Sequence, residues 1–232
     1  MKWHGRNIQL FKNPYNCSIN DPSLQPQLPI LCNVYIVFTD GIRRLLGQKI
    51  DKSVSKTIER SIEIPLALDF INYAIPGEPF VELGCVLPYY IFTEPNHKVY
   101  DLMDPHPDNE KKDIRFLSDD ELSTNILSIS TVEHISQSEY GIPENSTSGL
   151  DVVKKIISCA QKFFVTFPLG HNSMLDKYVL EENVPFSTFI TRRHDNQMDW
   201  RIVERSELTS EMVAYGTYCC ANTICVLTNY DN

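Results

Sequence analysis

Three short apolar runs, Phe80–Val86 (FVELGCV), Asn125–Ile135 (NILSISTVEHI) and Phe163–Leu169 (FFVTFPL), constrain this chain more than any other feature. The first two end in small or acidic residues, and the third repeats the pattern after a helix-like stretch. A short continuous apolar run reads as a strand buried on both faces, and its polar close as the point where the chain leaves the core. In an open α/β sheet, ligands bind outside the carboxyl ends of such strands, where strand ends and helix starts converge. The pattern predicts three loops aimed at one crevice.

The intervening segments supply the rest of the architecture. Residues 1–30 are polar and carry Pro14, Pro22, Pro26 and Pro29, which predicts an irregular arm. Asn33–Phe38 reads as a strand, with Asp40-Gly41 as its turn. Lys49–Arg60 is polar, a loop or an exposed helix. Ile62–Ile75 has helical apolar spacing from Leu66 onward, with Pro65 suited to a first turn. His97–Met103 reads as a strand ending among acids, Asp113–Leu117 as a weak strand, and Asn125–Thr131 as a stronger one. Ser148–Phe164 carries the stripe of an amphipathic helix, with Ser148 as its cap and Asp151 in its first turn. Phe163–Phe167, Trp200–Val203 and Thr223–Leu227 complete the strands. Strands alternating with helices predict an α/β fold with a doubly wound, mostly parallel sheet. The division expected is an arm or cap over residues 1–61 and an α/β domain over 62–232.

Composition narrows the function classes. The 232 residues are 42% hydrophobic and 22% charged, as in a globular domain. A net charge of −9 opposes binding to nucleic acid or an anionic membrane, both of which call for a basic surface. No apolar run approaches a membrane span. The stretch Met1–Cys17 has no continuous apolar core of the signal-peptide type, so a cytoplasmic protein is expected. The cysteines number seven, with no CxxC and no zinc-like Cys/His spacing. Cys85, Cys159 and Cys225 lie in apolar runs and are expected to be reduced and buried. No metal site is indicated.

Several residues are placed to carry chemistry. Glu82-Leu83-Gly84 closes the first run, and a glycine there lets backbone approach a ligand. The chain lacks GxGxxG and GxxxxGK[ST], which disfavours a nicotinamide cofactor and a phosphate-loop nucleotidase. It also lacks GxSxG, which disfavours a Ser-His-Asp hydrolase. Asp101 and Asp104 close the next strand, where a carboxylate can accept from a ribose diol; the competing role is turn chemistry at Asp104-Pro105. Ser128, Ser130, Thr131, Glu133 and His134 lie in or follow the strand at Asn125–Thr131. His134 is a candidate general base with Glu133 as its acidic neighbour, against a purely structural backbone-bonded histidine. The Pro168–Asn172 turn holds His171 and Asn172 as candidate substrate contacts. Arg192-Arg193-His194 is a basic cluster suited to an anionic group.

Taken in order, the VELG strand end, the acid closing the next strand, ISTVEHI and VTFPLG resemble class I S-adenosylmethionine-dependent methyltransferases, over roughly residues 62–232. More narrowly, the chain looks like bacterial methyltransferase-like proteins of surface-glycan and secondary-metabolite clusters. The resemblance implies a Rossmann-like seven-stranded sheet and S-adenosylmethionine as cofactor. It places Glu82, Gly84, Asp101 or Asp104, Asp113 and Ser130 around that cofactor, with Asp113 toward the adenine amino group. It leaves His134 or His171 as catalytic base and Glu133, Asn172 and Arg192 toward the acceptor, a sugar or another small metabolite methylated on oxygen or nitrogen. The departure is a first motif with one glycine, Gly84, followed by Cys85-Val86-Leu87. That departure motivates the alternative, a methyltransferase-like scaffold that partners another subunit. No NPPY motif occurs, and a nucleic-acid acceptor is not carried over.

Overall fold

The computed structural model of the chain describes residues 2–3, 6–7, 59–89, 96–135, 147–182, 184–192, 200–216 and 220–230. The strand expected at Asn33–Phe38 and nearly all of the expected arm lie outside them. The main sheet comprises β1 (Phe80–Leu83), β2 (His97–Tyr100), β3 (Asn109–Glu110), β4 (Asn125–Ile129), β5 (Phe163–Pro168), β6 (Ser187–Arg192), β7 (Trp200–Val203) and β8 (Thr223–Thr228). Three longer helices accompany it: α1 (Arg60–Asp69), α2 (Gly149–Cys159) and α3 (Ser173–Glu181).

The expected seven-stranded, mostly parallel, doubly wound Rossmann-like sheet is corrected here. The sheet has eight strands in the order β3-β2-β1-β4-β5-β8-β6-β7 and is mixed. β3, β2, β1, β4 and β5 pair in parallel. β8 runs antiparallel to both β5 and β6, and β6 runs antiparallel to β7. Helices are few among the described residues, and no helix fills the short connection Asp101–Asp108 between β2 and β3. The reason the sequence misled is physical. β5 and β8 are buried along their whole length, and a strand buried on both faces looks the same whichever way its neighbour runs.

Strand alternation splits the core into two layers, one on each face. Phe163, Val165 and Phe167 of β5 and Cys225 and Leu227 of β8 pack with Val152, Val153 and Ile156 of α2 and Leu175 and Val179 of α3. Phe164, Ile224 and Val226 face the other way, onto Ile62, Leu66 and Phe70 of the α1 segment. Phe70 and Phe164 stack with centroids 5.7 Å apart.

Element ends also differ from expectation for local reasons. α1 begins at Arg60, so Pro65 lies inside it, and the helix continues as a π turn over Phe70–Ala74. β2 ends at Tyr100 because Asp101 Oδ1 accepts from the backbone N–H of Met103 and Asp104, at 2.7 and 2.9 Å, turning the chain. The strand expected at Asp113–Leu117 is instead a 3-10 turn, Ile114–Phe116, capped by Asp113, and the third strand forms upstream at Asn109–Glu110. Ser148 caps α2 as expected, in a capping box with Asp151.

Candidate functional site

The strand order reverses at β1: the chain steps outward to β2 and β3, then crosses back to β4 and β5. The carboxyl ends of β1 and β4 therefore diverge into a crevice at a topological switch point. A pocket of about 430 Å³ sits there, lined by Arg60, Gly84, Cys85, Val86, Tyr100–Asp104, Asp113–Arg115, Ser130, Thr131, His134 and Ile135. That volume falls within the roughly 300–1,000 Å³ usual for small-molecule sites.

Gly84 forms the floor. Its φ is +87°, and its N–H donates to Tyr100 at 2.9 Å across the β1–β2 seam. A Cβ there would lie 2.0 Å from Thr131 Oγ1, so both conformation and space require glycine. Glu82, one residue inside β1, does not reach the pocket. It is fully buried, and its Oε1 accepts from the N–H of Val86 and Leu87 at 2.9 and 2.7 Å while Oε2 lies 2.8 Å from His97 Nε2. Its work is to fold the loop that follows Gly84.

Asp101 bridges two loops. Besides capping its own turn, it accepts from the Cys85 N–H through Oδ2 at 3.2 Å. Asp104 is held by the Tyr89 hydroxyl at 2.9 Å and by the His106 N–H at 2.8 Å. Burial, and then Asp104, push the Tyr89 phenol up to about 12. Burial and Asp104 likewise push the Cys85 thiol up, so it is a neutral wall of the pocket and no nucleophile. Asp113 is engaged by Arg115 through both oxygens, at 2.9 Å from Nε and 2.6 Å from Nη2, and the hydrogen bonds from that guanidinium lower its carboxyl.

The opposite wall comes from the end of β4. Ser130 takes φ +40°, a conformation uncommon outside glycine. Its N–H donates to the Thr166 carbonyl at 2.9 Å and its hydroxyl to Glu63 at 2.6 Å. Glu63, fully buried on α1, also accepts from Thr166 Oγ1 at 2.7 Å and pairs with Arg60. Arg60 and Glu63 were not among the residues expected at the site. The signal available was an acid inside the apolar stretch Ile62–Ile64, which calls for buried donors.

His134 lines the pocket, and its Nε2 stands 3.6 Å from Glu133 Oε1. Burial, reinforced by Glu63, raises the Glu133 carboxyl well above the usual range. His171 packs edge-on to His134 with centroids 4.7 Å apart, behind the pocket wall and against Tyr215. Asn172 is buried as the cap of α3, accepting from Met174 and Leu175 and donating to the Glu133 carbonyl at 3.0 Å. Arg192 closes β6 opposite Trp200, and its side chain lies outside what the structure describes. The pocket thus brings together Gly84, Asp101, Asp104, Asp113, Ser130 and His134, while Glu82, Glu133, His171 and Asn172 stand behind its walls.

Among the described residues no cluster of three or more His, Cys, Asp or Glu is set to hold a metal ion, and no helix is long and apolar enough to cross a membrane. Comparison of the chain with protein-family models, curated proteins and solved structures finds no match.

Proposed function

We propose that the chain is an S-adenosylmethionine-dependent methyltransferase acting on an oxygen or nitrogen of a sugar or other small metabolite. The observation that carries this reading is that Gly84 and Asp101, from adjacent strand ends, face one pocket at the switch point of the sheet. The donor set suits such a cofactor. Asp101 Oδ2, which accepts from one backbone N–H, retains a lone pair for a ribose hydroxyl, and Leu102, Met103 and Ile114 offer apolar cover for a purine. The bare backbone at Gly84, with Ser130 opposite, suits the amino-acid end. Carboxylates of Asp101 and Asp104 favour a positive charge nearby. When bound, the cofactor would supply an activated methyl on a positively charged sulfur. The chain's own part is to orient both ligands, exclude water and receive a proton, the last at His134 with His171 holding its ring.

A second reading, the scaffold subunit without cofactor, draws on the engagement of both Asp101 oxygens by backbone N–H groups and on the side chains of Cys85 and Val86 in the pocket. Thermal denaturation with S-adenosylmethionine, S-adenosylhomocysteine or ATP separates the possibilities. Stabilisation by the first two alone supports the methyltransferase. Stabilisation by ATP alone points to another nucleotide enzyme. No shift with any, together with a methyltransferase that copurifies, favours the scaffold.

A further inference from the structure

We propose that His97, which stands outside the pocket, is a positioning residue for it and acts through Glu82 on the Gly84–Leu87 loop. The cofactor that the loop receives rests on the methyl-transfer reading above. Four successive N–H groups of this loop are tied down, two of them by one atom. Gly84 donates to the Tyr100 carbonyl at 2.9 Å and Cys85 to Asp101 Oδ2 at 3.2 Å. Val86 and Leu87 both donate to Glu82 Oε1, at 2.9 and 2.7 Å. Cys85 and Val86 line the pocket, so the direction of this carboxylate sets part of its wall. The other carboxylate oxygen, Oε2, meets His97 Nε2 at 2.8 Å. His97 opens β2, and its ring stacks on Phe80 with centroids 4.4 Å apart and an interplanar angle of 17°. Stacking holds the ring, the ring holds Oε2, and Oε2 fixes how Oε1 points at the loop.

Stability alone does not account for this pair. Side chains alternate along β1, so Glu82 shares a face with Phe80, in the apolar layer that Phe80 and Leu87 form with the α1 segment. There the Glu82 and His97 side chains are 0% and 1% exposed. Taking two such groups out of water offsets much of their attraction, and apolar residues of similar volume often match or exceed a buried pair in stability. An apolar pair, however, has no acceptor for Val86 and Leu87. Among the described residues the hydrogen bond to Glu82 is the only one the His97 ring makes, and its Nδ1 is buried without a partner. The ring's polar chemistry is therefore directed at one oxygen. A carboxylate accepts and does not donate, so Nε2 carries the hydrogen. Without that donor Oε2 is stranded in the apolar layer, and the carboxylate turns away from the loop to find another.

The test uses the full chain and three variants. His97→Phe keeps the stack on Phe80 and removes the donor, His97→Gln keeps a donor, and Glu82→Leu with His97→Phe makes the pair apolar. Calorimetry with S-adenosylmethionine should show at least about a tenfold loss of affinity in His97→Phe, as for stranding a buried acceptor, and recovery in His97→Gln. The apolar pair should match the parent in urea denaturation and still bind at least about tenfold more weakly. An apolar pair that keeps stability and affinity together would show a structural role only and overturn the proposal. Amide hydrogen exchange is the separate arm and needs no ligand. Val86 and Leu87 should be protected in the parent and exchange about tenfold faster in His97→Phe, with the amides of β4 and β5 unchanged. Unprotected Val86 and Leu87 amides in the parent would overturn the proposal, and that reading needs no variant to fold. Their loss of protection in His97→Phe, without cofactor binding by the parent, would keep the link from His97 to the loop and remove the methyl-transfer reading. Cofactor binding that His97→Phe leaves undiminished would do the reverse.

Discussion

The Ser130 hydroxyl donates to Glu63 Oε1 at 2.6 Å, which ties a left-handed turn after β4 to a carboxylate buried on α1. The bond crosses from sheet to helix and fixes the pocket wall on which His134 stands. Ser130→Ala loses this charge-assisted hydrogen bond and keeps the unfavourable backbone, so it should cost about 1.5–3 kcal/mol. Ser130→Gly loses the same bond but adopts φ +40° freely, and should be about 1 kcal/mol more stable than the alanine variant. Urea denaturation of the two variants checks the order; an alanine variant as stable as glycine would place no strain at Ser130.

Glu63 collects the hydroxyls of Ser130 and Thr166 and the guanidinium of Arg60. Glu63→Ala should therefore cost about 3 kcal/mol, because it takes the acceptor from two hydroxyls and an ion-pair partner from Arg60 together. Combined with Ser130→Ala, the loss should fall short of the sum of the single losses, since both remove the same bond. Additive losses in a double-mutant cycle would show that the two residues act independently.

Gly84→Ala meets Thr131 at contact distances no Cβ tolerates, at a φ that disfavours any side chain. We expect a loss of about 3 kcal/mol, of which about 1 kcal/mol is the backbone conformation. Replacing Thr131 by Gly in the same chain removes the overlap and should restore the difference. No recovery in the double variant would mean that the clash is relieved elsewhere.

Asp176 gives a pH dependence whose sign can be worked out. It is partly buried, its Oδ2 accepts from Gly170 N–H at 3.0 Å, and burial raises its carboxyl to about 6. The unfolded chain releases this proton near the ordinary aspartate value of 3.8, so between about pH 4 and 6 the folded state binds more protons than the unfolded state. Stability from this group therefore falls as pH rises through that window and is flat above it. Asp176→Asn should match the parent near pH 4 and exceed it at pH 7. Urea midpoints at both values test this, and an unchanged difference between them would contradict the burial effect.

The strands and the α2 cap were legible because each rests on local chemistry. Apolar runs announced β1, β4 and β5, and Ser148 with Asp151 announced the start of α2. Strand direction was not legible, because Thr223–Thr228 is buried on both faces and carries no directional pattern. Ser187–Arg192 was missed as a strand because its closing arginine reads with Arg193 and His194 as a basic cluster, although its Thr188–Phe189–Ile190–Thr191 core has strand composition. At the site, the Gly84 turn was readable from one glycine. The Arg60–Glu63–Ser130–Thr166 network was not, since it joins residues far apart in sequence that only packing of α1 onto the sheet brings together.

The central claim is a cofactor pocket between Gly84 and Asp101, and calorimetric titration of S-adenosylmethionine into the parent chain and Asp101→Ala tests it most directly. The account predicts binding by the parent and at least about a tenfold loss in the variant, as expected for removing hydrogen bonds to a charged group. Absence of binding by the folded parent, or undiminished affinity in Asp101→Ala, would contradict it.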